Sequence, residues 1–564
     1  MPINPEAKNG TVAHGFVTPK QDRNPQIQSI PPKRVLPIIF IPGIMGSNLR
    51  MNAMRQNRLG QKNNIAWRPD HLLATYPLHD DSSSERQLRF DPFSTELDTY
   101  DPKNNPTGDL AETSDDRNDD VGFSAQYGGW GKSGGPLLKD DFPGTKNGRS
   151  KEQKARERGW GEVYFGSYEE ILRECELRLN AGLSEKYMDR YLKHSIVDIS
   201  PAKWQAHSST PLECVNLNEM RSSLKGCWFP VHAMGYNWLQ DNCQSGVKIA
   251  ERIRALISSY QEQGYQCEKV VLITHSMGGL VARAVIHPEM GGLNDKVLGV
   301  IHGVMPAIGA ATAYKRIRCG FEGDNTAAKI LGAKGSHVTS VLANSQGGLE
   351  LLPSADYGDG WLQLKQGGKI MKSLPESGDP YNEIYKIKGR WFSLLREEWI
   401  NPAGLSTSSF SKTCVMLERA KNFHKDIAKT YHDQSYAHYG ADDSGLAWHK
   451  VVWQIDADVD IENVDALAIS RDDERGNLLL KKPVSSNQEK SPPTVFNACL
   501  LGAMDPGDQT VPVFSADAQL RSGKFKGIFR QTGYEHQASY KDEKVLASTI
   551  YSLFKIIASM KWSS

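Results

Sequence analysis

Residues 270–286, VVLITHSMGGLVARAVI, predict a strand, a tight turn and a helix in direct succession. The run VVLI is apolar and rich in β-branched residues, which is typical of a fully buried central strand, and LVARAVI predicts a buried helix. Between them, Ser276 lies in a tight strand-to-helix turn, and two glycines beyond it allow strand and helix to pack closely. Such a turn holds a serine hydroxyl outward and aims the following N–H groups at a developing oxyanion. We interpret this stretch as a nucleophile elbow.

One position departs from the usual elbow pattern G-x-S-x-G, because Thr274 stands where the first glycine is expected. Threonine is β-branched and suits the end of a strand, so the elbow tolerates it. The alternative is an ordinary buried strand-to-helix turn that happens to contain a serine. The joint presence of apolar strand, serine, paired glycines and apolar helix favours the elbow.

Chain length, net charge and cysteine spacing exclude several classes of protein. The chain has 564 residues, enough for a large core, and its net charge of +1 gives no global field toward nucleic acid. Any membrane contact would therefore use a local apolar surface. The eight cysteines include no C-x-x-C pair, which disfavours structural zinc and redox motifs. We expect no metal and no cofactor, and the even number of cysteines leaves disulfides open.

The N-terminal sequence MPINPEAKNGTVAHGF lacks the apolar core of a secretory signal, and no run of eighteen apolar residues predicts a membrane span. We therefore expect a protein made in the cytoplasm without a signal peptide. If it leaves the cell, a dedicated machine has to export it.

Alternation of strands and helices predicts an α/β fold with a mostly parallel central sheet and helices on both faces. The predicted core strands cover 35–41, 229–238, 270–273, 297–304, 451–455, 494–503 and 527–531, with amphipathic helices at 243–263 and 541–559. The predicted organisation is a flexible arm at 1–30, a core at 31–50, 159–315 and 449–564, a polar insertion at 51–158, and a mostly helical cap or lid at 316–448. The polar insertion is acidic, which leaves a calcium site open, but it lacks the spacing of an EF-hand loop and we interpret it as a solvated insertion.

A glycine-containing loop, PGIMGSNL, follows the first predicted strand at 42–49. Glycines directly after a core strand free backbone N–H groups to face a ligand. We expect this loop to supply the second oxyanion donor, from Met45 or alternatively Ile44, beside the N–H of Met277. A plain glycine-rich turn is the alternative interpretation.

A serine nucleophile needs a base, and the base needs an acid that fixes its tautomer. After an elbow serine the chain order is acid and then histidine, and one downstream pair fits well. Asp508 lies in a glycine-containing turn after an apolar strand, and His536 lies between the last strand and the last helix. Asp505 is the competing acid.

The remaining candidates have simpler interpretations. His302 lies inside a predicted strand and is expected to be structural, and His275 is expected to point sideways from the turn. His432 and His438 fall in the predicted insertion. Glu535 is interpreted as a solvated neighbour of the base.

Four segments carry a family resemblance: IPGIMGSNL at 41–49, THSMGG at 274–279, GYNW at 235–238 and GDQTVP at 507–512. They resemble motifs of the lipase group that includes lecithin–cholesterol acyltransferase and the GPI inositol-deacylases. The resemblance implies an α/β-hydrolase fold in which these segments give the oxyanion loop, the nucleophile, a turn beside the pocket and the acid. In those families the turn usually reads Tyr-Asp-Trp, and here Asn237 takes the place of the aspartate.

The two large insertions, the missing signal peptide and the segment HGVMPAIGAATAYKR at 302–316 are similar to bacterial type VI secretion lipase effectors. That resemblance implies a serine esterase of phospholipase A type. It also implies a phospholipid membrane as substrate, an immunity protein and a secretion spike component as partners, and delivery into the target-cell periplasm. A lipid acyltransferase with the same triad and a catalytically idle hydrolase-fold binding protein are the alternatives.

Overall fold

The computed structural model describes residues 32–70, 75–99, 151–181, 196–208, 211–456, 461–482 and 494–563, together with three short N-terminal strands. Six parallel strands form the central sheet, in the spatial order β2-β1-β3-β4-β5-β6. Their bounds are Ile38–Ile41 (β1), Val231–Ala233 (β2), Val270–His275 (β3), Val297–Gly303 (β4), Ser435–Gly440 (β5) and Phe525–Gln531 (β6).

The strand order reverses between β1 and β3, because β2 lies on one side of β1 and all later strands follow on the other. In open parallel sheets, ligands bind at the carboxyl ends of the strands at such a reversal. The loops that leave β1 and β3 there are the predicted oxyanion loop and the predicted elbow.

Both faces of the sheet are buried. Along β1, Ile38 and Phe40 join one apolar cluster, whereas Ile39 and Ile41 join the other. This alternation follows from the two-residue period of a strand, and it explains why the core strands have no polar face. The helices that contribute to these two clusters include Phe165–Asn180 (α1), Asn242–Glu262 (α2), Gly278–Ile286 (α3), Phe410–Ile427 (α4) and Glu543–Ala558 (α5). Residues of α1 and α5 contribute to the first cluster, and residues of α2, α3 and α4 to the second.

A second six-stranded sheet has its own apolar cluster and lies outside the central sheet. One of its strand pairs is parallel and the others are antiparallel. In spatial order its strands are Lys369–Leu374, Leu362–Gln366, Val451–Asp456, Val495–Leu500, Asn477–Lys481 and Ala468–Asp472.

The second sheet corrects the predicted division of the core. The segments 451–455 and 494–503 were expected in the central sheet, but their strands belong to the second sheet. The central sheet instead takes Ser435–Gly440, which lies inside the range 316–448 assigned to the cap. An apolar run predicts a strand without saying which sheet it joins. SYAHYG looks polar as a sequence, yet all six of its residues are buried.

The described part of the polar insertion is ordered. Leu49–Met51, Ile65–Trp67 and Thr95–Leu97 form a small antiparallel sheet, accompanied by helices Ala53–Leu59 and Ser83–Arg89. Buried ion pairs join Arg55 to Asp91 and Arg89 to Asp81. Charged residues that suggest a solvated segment are therefore paired inside the fold.

The other described helices have nine residues or fewer, and four of them lie wholly within the predicted cap range 316–448. They are Lys151–Glu157, Leu217–Leu224, Ala311–Cys319, Thr326–Leu331, Gly335–Leu342, Gln346–Leu349, Glu397–Ile400, Val513–Ala516 and Ala518–Arg521.

The predicted N-terminal arm contains the short antiparallel strands Ile3–Asn4, Val12–Gly15 and Gln26–Ser29. The other residues of 1–31, and the acidic stretch 100–150, lie outside the described residues. All eight cysteines are free thiols. Among the helices of the described ranges, none has the length and hydropathy that a bilayer crossing requires.

Candidate active site

The elbow has the strained geometry that an exposed nucleophile requires. Ser276 has φ of 52°, in the left-handed region that non-glycine residues rarely adopt, and its N–H donates to the Gly303 carbonyl at 2.8 Å. Gly278 begins α3 against β1, where an added Cβ would lie 2.4 Å from the carbonyl oxygens of Ile41 and Pro42. A glycine is required there because helix and strand approach so closely.

Three predicted residues from distant parts of the chain form one hydrogen-bonded row. The Ser276 Oγ lies 2.9 Å from His536 Nε2, and His536 Nδ1 lies 2.8 Å from Asp508 Oδ2. All three side chains are buried. Because the Asp508 carboxylate accepts from Nδ1–H, the neutral imidazole leaves Nε2 free to accept the serine proton.

The acid is held by its own loop. The Asp508 Oδ1 accepts from the Val511 N–H at 2.7 Å, and the Asp508 carbonyl accepts from the His536 N–H at 3.0 Å. Asp505 points elsewhere, because its carboxylate accepts from the backbone N–H groups of His449 and Lys450. Of the two predicted candidates, Asp508 is therefore the one whose carboxylate contacts His536.

The two expected oxyanion donors belong to the loops that follow β1 and β3. Within the described residues, neither the Met277 N–H nor the Met45 N–H donates to a backbone carbonyl. The loop after β1 reaches the serine because Gly43 has no side chain, since a Cβ there would lie 2.9 Å from the Ser276 Cβ. Met45 has φ of 59°, and its carbonyl accepts from Trp67 Nε1 at 2.6 Å.

The GYNW turn supports this loop. Tyr236 donates its hydroxyl to the Pro42 carbonyl at 3.0 Å, and Trp238 donates Nε1 to the Ser47 carbonyl at 3.3 Å. Asn237 keeps the turn closed, because its Oδ1 accepts from the Leu239 N–H at 3.1 Å. An asparagine therefore makes the turn contact that an aspartate oxygen would make.

Backbone strain is concentrated at the site. The described non-glycine residues with φ above zero are Met45, Asp198, Gln205, Ser276, Val304, Glu474 and Gln509. Four of them, at 45, 276, 304 and 509, lie in the loops after β1, β3 and β4 and next to Asp508. Strained backbone persists where surrounding structure fixes it, and it clusters at functional sites.

The other histidines near the sheet stay neutral. Burial lowers the pKa of His275, His302 and His438 to about 3 in each case. His302 is buried within β4, as its structural interpretation requires, and His438 lies in β5 of the central sheet, not in the predicted insertion. Glu535 is more than a solvated neighbour, because its carboxylate accepts from the N–H groups of Gln537 and Ala538.

Sequence reasoning missed two contributors to the site. Gly440 ends β5 directly beneath the acid, where an added Cβ would lie 2.6 Å from the Asp508 Cβ. Tyr168 in α1 contacts His275 Nδ1 through its hydroxyl at 3.1 Å. Neither residue belongs to a local motif, so only the fold brings them to the site.

Within the described ranges, no group of three His, Cys, Asp or Glu side chains has the arrangement of a metal site.

The parallel sheet, its strand reversal and the elbow at the carboxyl edge define an α/β-hydrolase fold. The sequence pattern of a PGAP1-like alpha/beta domain matches residues 234–308, which run from the GYNW turn through the elbow and past the end of β4. No curated protein sequence matches the chain.

Among solved structures, the chain is similar to one in the crystal structure of the Tle4–Tli4 complex. The two are 29% identical with a TM-score of 0.71, and the match covers 94% of this chain and 99% of that chain. These findings confirm the predicted resemblance and the predicted fold class, and they support a hydrolase of the lipase type.

Proposed function

We propose that this protein is a serine esterase that hydrolyses acyl esters of membrane glycerophospholipids. The observation that carries the proposal is the row from Ser276 through His536 to Asp508, with separations of 2.9 and 2.8 Å. A serine hydroxyl is a weak nucleophile at neutral pH, and a base in this position activates it. Ser276, His536 and Asp508 are accordingly the proposed catalytic residues.

In the first half of the reaction, His536 Nε2 takes the Ser276 hydroxyl proton while Oγ attacks the acyl carbonyl. Negative charge moves to the carbonyl oxygen, and the N–H groups of Met277 and Met45 are the proposed donors to it. The imidazolium, stabilised by Asp508, then protonates the leaving alcohol as the ester C–O bond breaks. An acyl group remains on Ser276.

In the second half, His536 takes a proton from water as the water oxygen attacks the acyl carbonyl. Collapse of the second tetrahedral intermediate breaks the bond to Ser276 Oγ, and the imidazolium returns its proton to that oxygen. A fatty acid leaves and the free serine is restored. Every proton in this cycle moves through one imidazole, so the mechanism uses no cofactor.

The lipid substrate and the biological role rest on similarity. The structural similarity to one chain of the Tle4–Tli4 complex, over 94% of this chain, supports a type VI secretion lipase effector. By the same similarity, a bound immunity protein is the expected partner in the producing cell. We further propose a spike component as carrier and the target-cell periplasm as destination.

A fluorophosphonate probe tests the reactive serine directly. The probe is expected to label the wild-type protein and to leave the Ser276→Ala variant unlabelled. Adding a lipid alcohol during turnover then separates hydrolysis from acyl transfer, since a transferase would form a new ester. A wild-type protein that is folded but unlabelled would favour an idle binding site.

A further inference from the structure

Beside the proposed triad, two buried side chains contact two of the loops that form the site. Tyr168 extends from α1, and His275 is the last residue of β3. The Tyr168 hydroxyl lies 3.1 Å from His275 Nδ1, and the two rings are 5.3 Å apart. Neither side chain takes part in the proton transfers described above.

The first contact reaches the base. His275 Nε2 lies 3.0 Å from the carbonyl oxygen of His536, and a carbonyl can only accept a hydrogen bond. Nε2 therefore carries the proton, and the bare Nδ1 accepts from the Tyr168 hydroxyl. Burial lowers the pKa of His275 to about 3, so the ring keeps this neutral tautomer at neutral pH.

The second contact reaches the residue after the base. Gln537 Nε2 donates to the Tyr168 hydroxyl oxygen at 3.4 Å. Residues 536 and 537 are thus held twice, once through a carbonyl by His275 and once through a side chain by Tyr168. These two contacts restrain the backbone that carries the His536 imidazole.

The third contact reaches the oxyanion loop. The Tyr168 hydroxyl packs against this loop, because an added Cβ at Gly46 would lie 2.6 Å from its oxygen. A Cβ at Gly43 would also lie 3.0 Å from His275 Nδ1. The two glycines let the loop rest on the same pair of side chains that holds the base.

We propose that Tyr168 and His275 are positioning residues that fix the oxyanion loop and the His536 loop relative to Ser276. The proposal rests on the proposed esterase function. A displacement of about 1 Å at reacting atoms can cost about 100-fold in rate, so losing this shared support should lower kcat with little change in KM.

Tyr168→Phe tests the hydroxyl, and Tyr540→Phe is its matched control. Tyr540 is also buried, belongs to the same aromatic cluster and donates one hydrogen bond, to the Thr274 carbonyl at 2.8 Å. We expect Tyr168→Phe to lower kcat for a soluble ester by about 10- to 100-fold. Tyr540→Phe should stay within about threefold of wild type, at a similar loss of thermal stability.

His275→Gln and His275→Leu form a second pair, because a glutamine amide can still donate to the His536 carbonyl and leucine cannot. At equal folding by circular dichroism, the glutamine variant is expected to keep about tenfold more kcat than the leucine variant. If the wild type is active, equal kcat for Tyr168→Phe and Tyr540→Phe and equal kcat for the two His275 variants would overturn the positioning role. The esterase proposal would stand. A wild type without serine labelling would instead overturn the esterase proposal.

Discussion

At the scale of single residues, the site depends on which carboxylate faces the imidazole. Asp508 and Asp505 are separated by three positions in one glycine-containing turn, and the sequence allowed both. The structure separates them by their partners, because one accepts from His536 Nδ1 and the other from two backbone N–H groups. The choice was a matter of turn geometry, which a local motif does not contain.

Asp508→Asn is expected to lower kcat for ester hydrolysis by about 10⁴-fold while the protein stays folded. The asparagine amide favours the wrong imidazole tautomer, in which Nε2 carries the proton and cannot accept one from Ser276. Asp505→Asn serves as the control and should stay within about tenfold of wild type, measured as kcat on the same ester. A larger loss in Asp505→Asn than in Asp508→Asn would reverse the assignment.

At the scale of elements, the close packing of α3 on β1 sets the position of the elbow. The helix begins at Gly278, and its first turn touches the carbonyl groups that end β1. Paired glycines after the serine predicted this approach from the sequence. A Cβ added at Gly278 would lie 2.4 Å from those carbonyl oxygens, so no side chain fits between α3 and β1 at this position.

Gly278→Ala is therefore expected to destabilise the protein by about 1–3 kcal/mol and to reduce activity, because the helix has to move away from β1. Gly502→Ala is the control, since a Cβ there meets nothing within 4 Å and the residue has no positive φ. Thermal unfolding and ester turnover of both variants provide the measurement. Equal stability of the two variants would show that the close approach is not limiting.

Some strands of the two sheets were predictable from the sequence and others were not. β1, β3 and β4 were predictable because each is a continuous apolar run followed by a loop rich in glycine or other small residues. β5 was not, because its tyrosines and histidine look polar, although every residue of the strand is buried. The strand Val451–Asp456 was predictable as a strand, but its place in the second sheet depends on pairing with distant segments.

At the scale of the whole molecule, several histidines are buried without charge. Burial lowers the pKa of His302 to about 3, with Arg283 and His432 lowering it further. Neither ring nitrogen of His302 has a hydrogen-bond partner among the described residues. Such a histidine stays neutral in the folded state, whereas the unfolded chain binds a proton on it below about pH 6.5.

This difference makes stability depend on pH. The stabilising contribution is fully present above about pH 6.5 and is lost as the pH falls toward 3, because only the unfolded state takes up the proton. At pH 5 the loss per histidine is about 2 kcal/mol. His302→Leu should therefore lose less stability than wild type between pH 7.5 and pH 5.0, as measured by urea unfolding. An unchanged pH dependence would mean that His302 protonates freely in the folded protein.

Phospholipid turnover by the wild type and by Ser276→Ala shows whether Ser276 is the nucleophile of a phospholipid esterase. Purified protein is incubated with mixed glycerophospholipid vesicles, and the lipids are quantified by mass spectrometry. The wild type is expected to release fatty acid and lysophospholipid, and Ser276→Ala to lower that rate by about 10⁶-fold, to the background of the assay. Fatty acid release by Ser276→Ala at the wild-type rate would contradict the account.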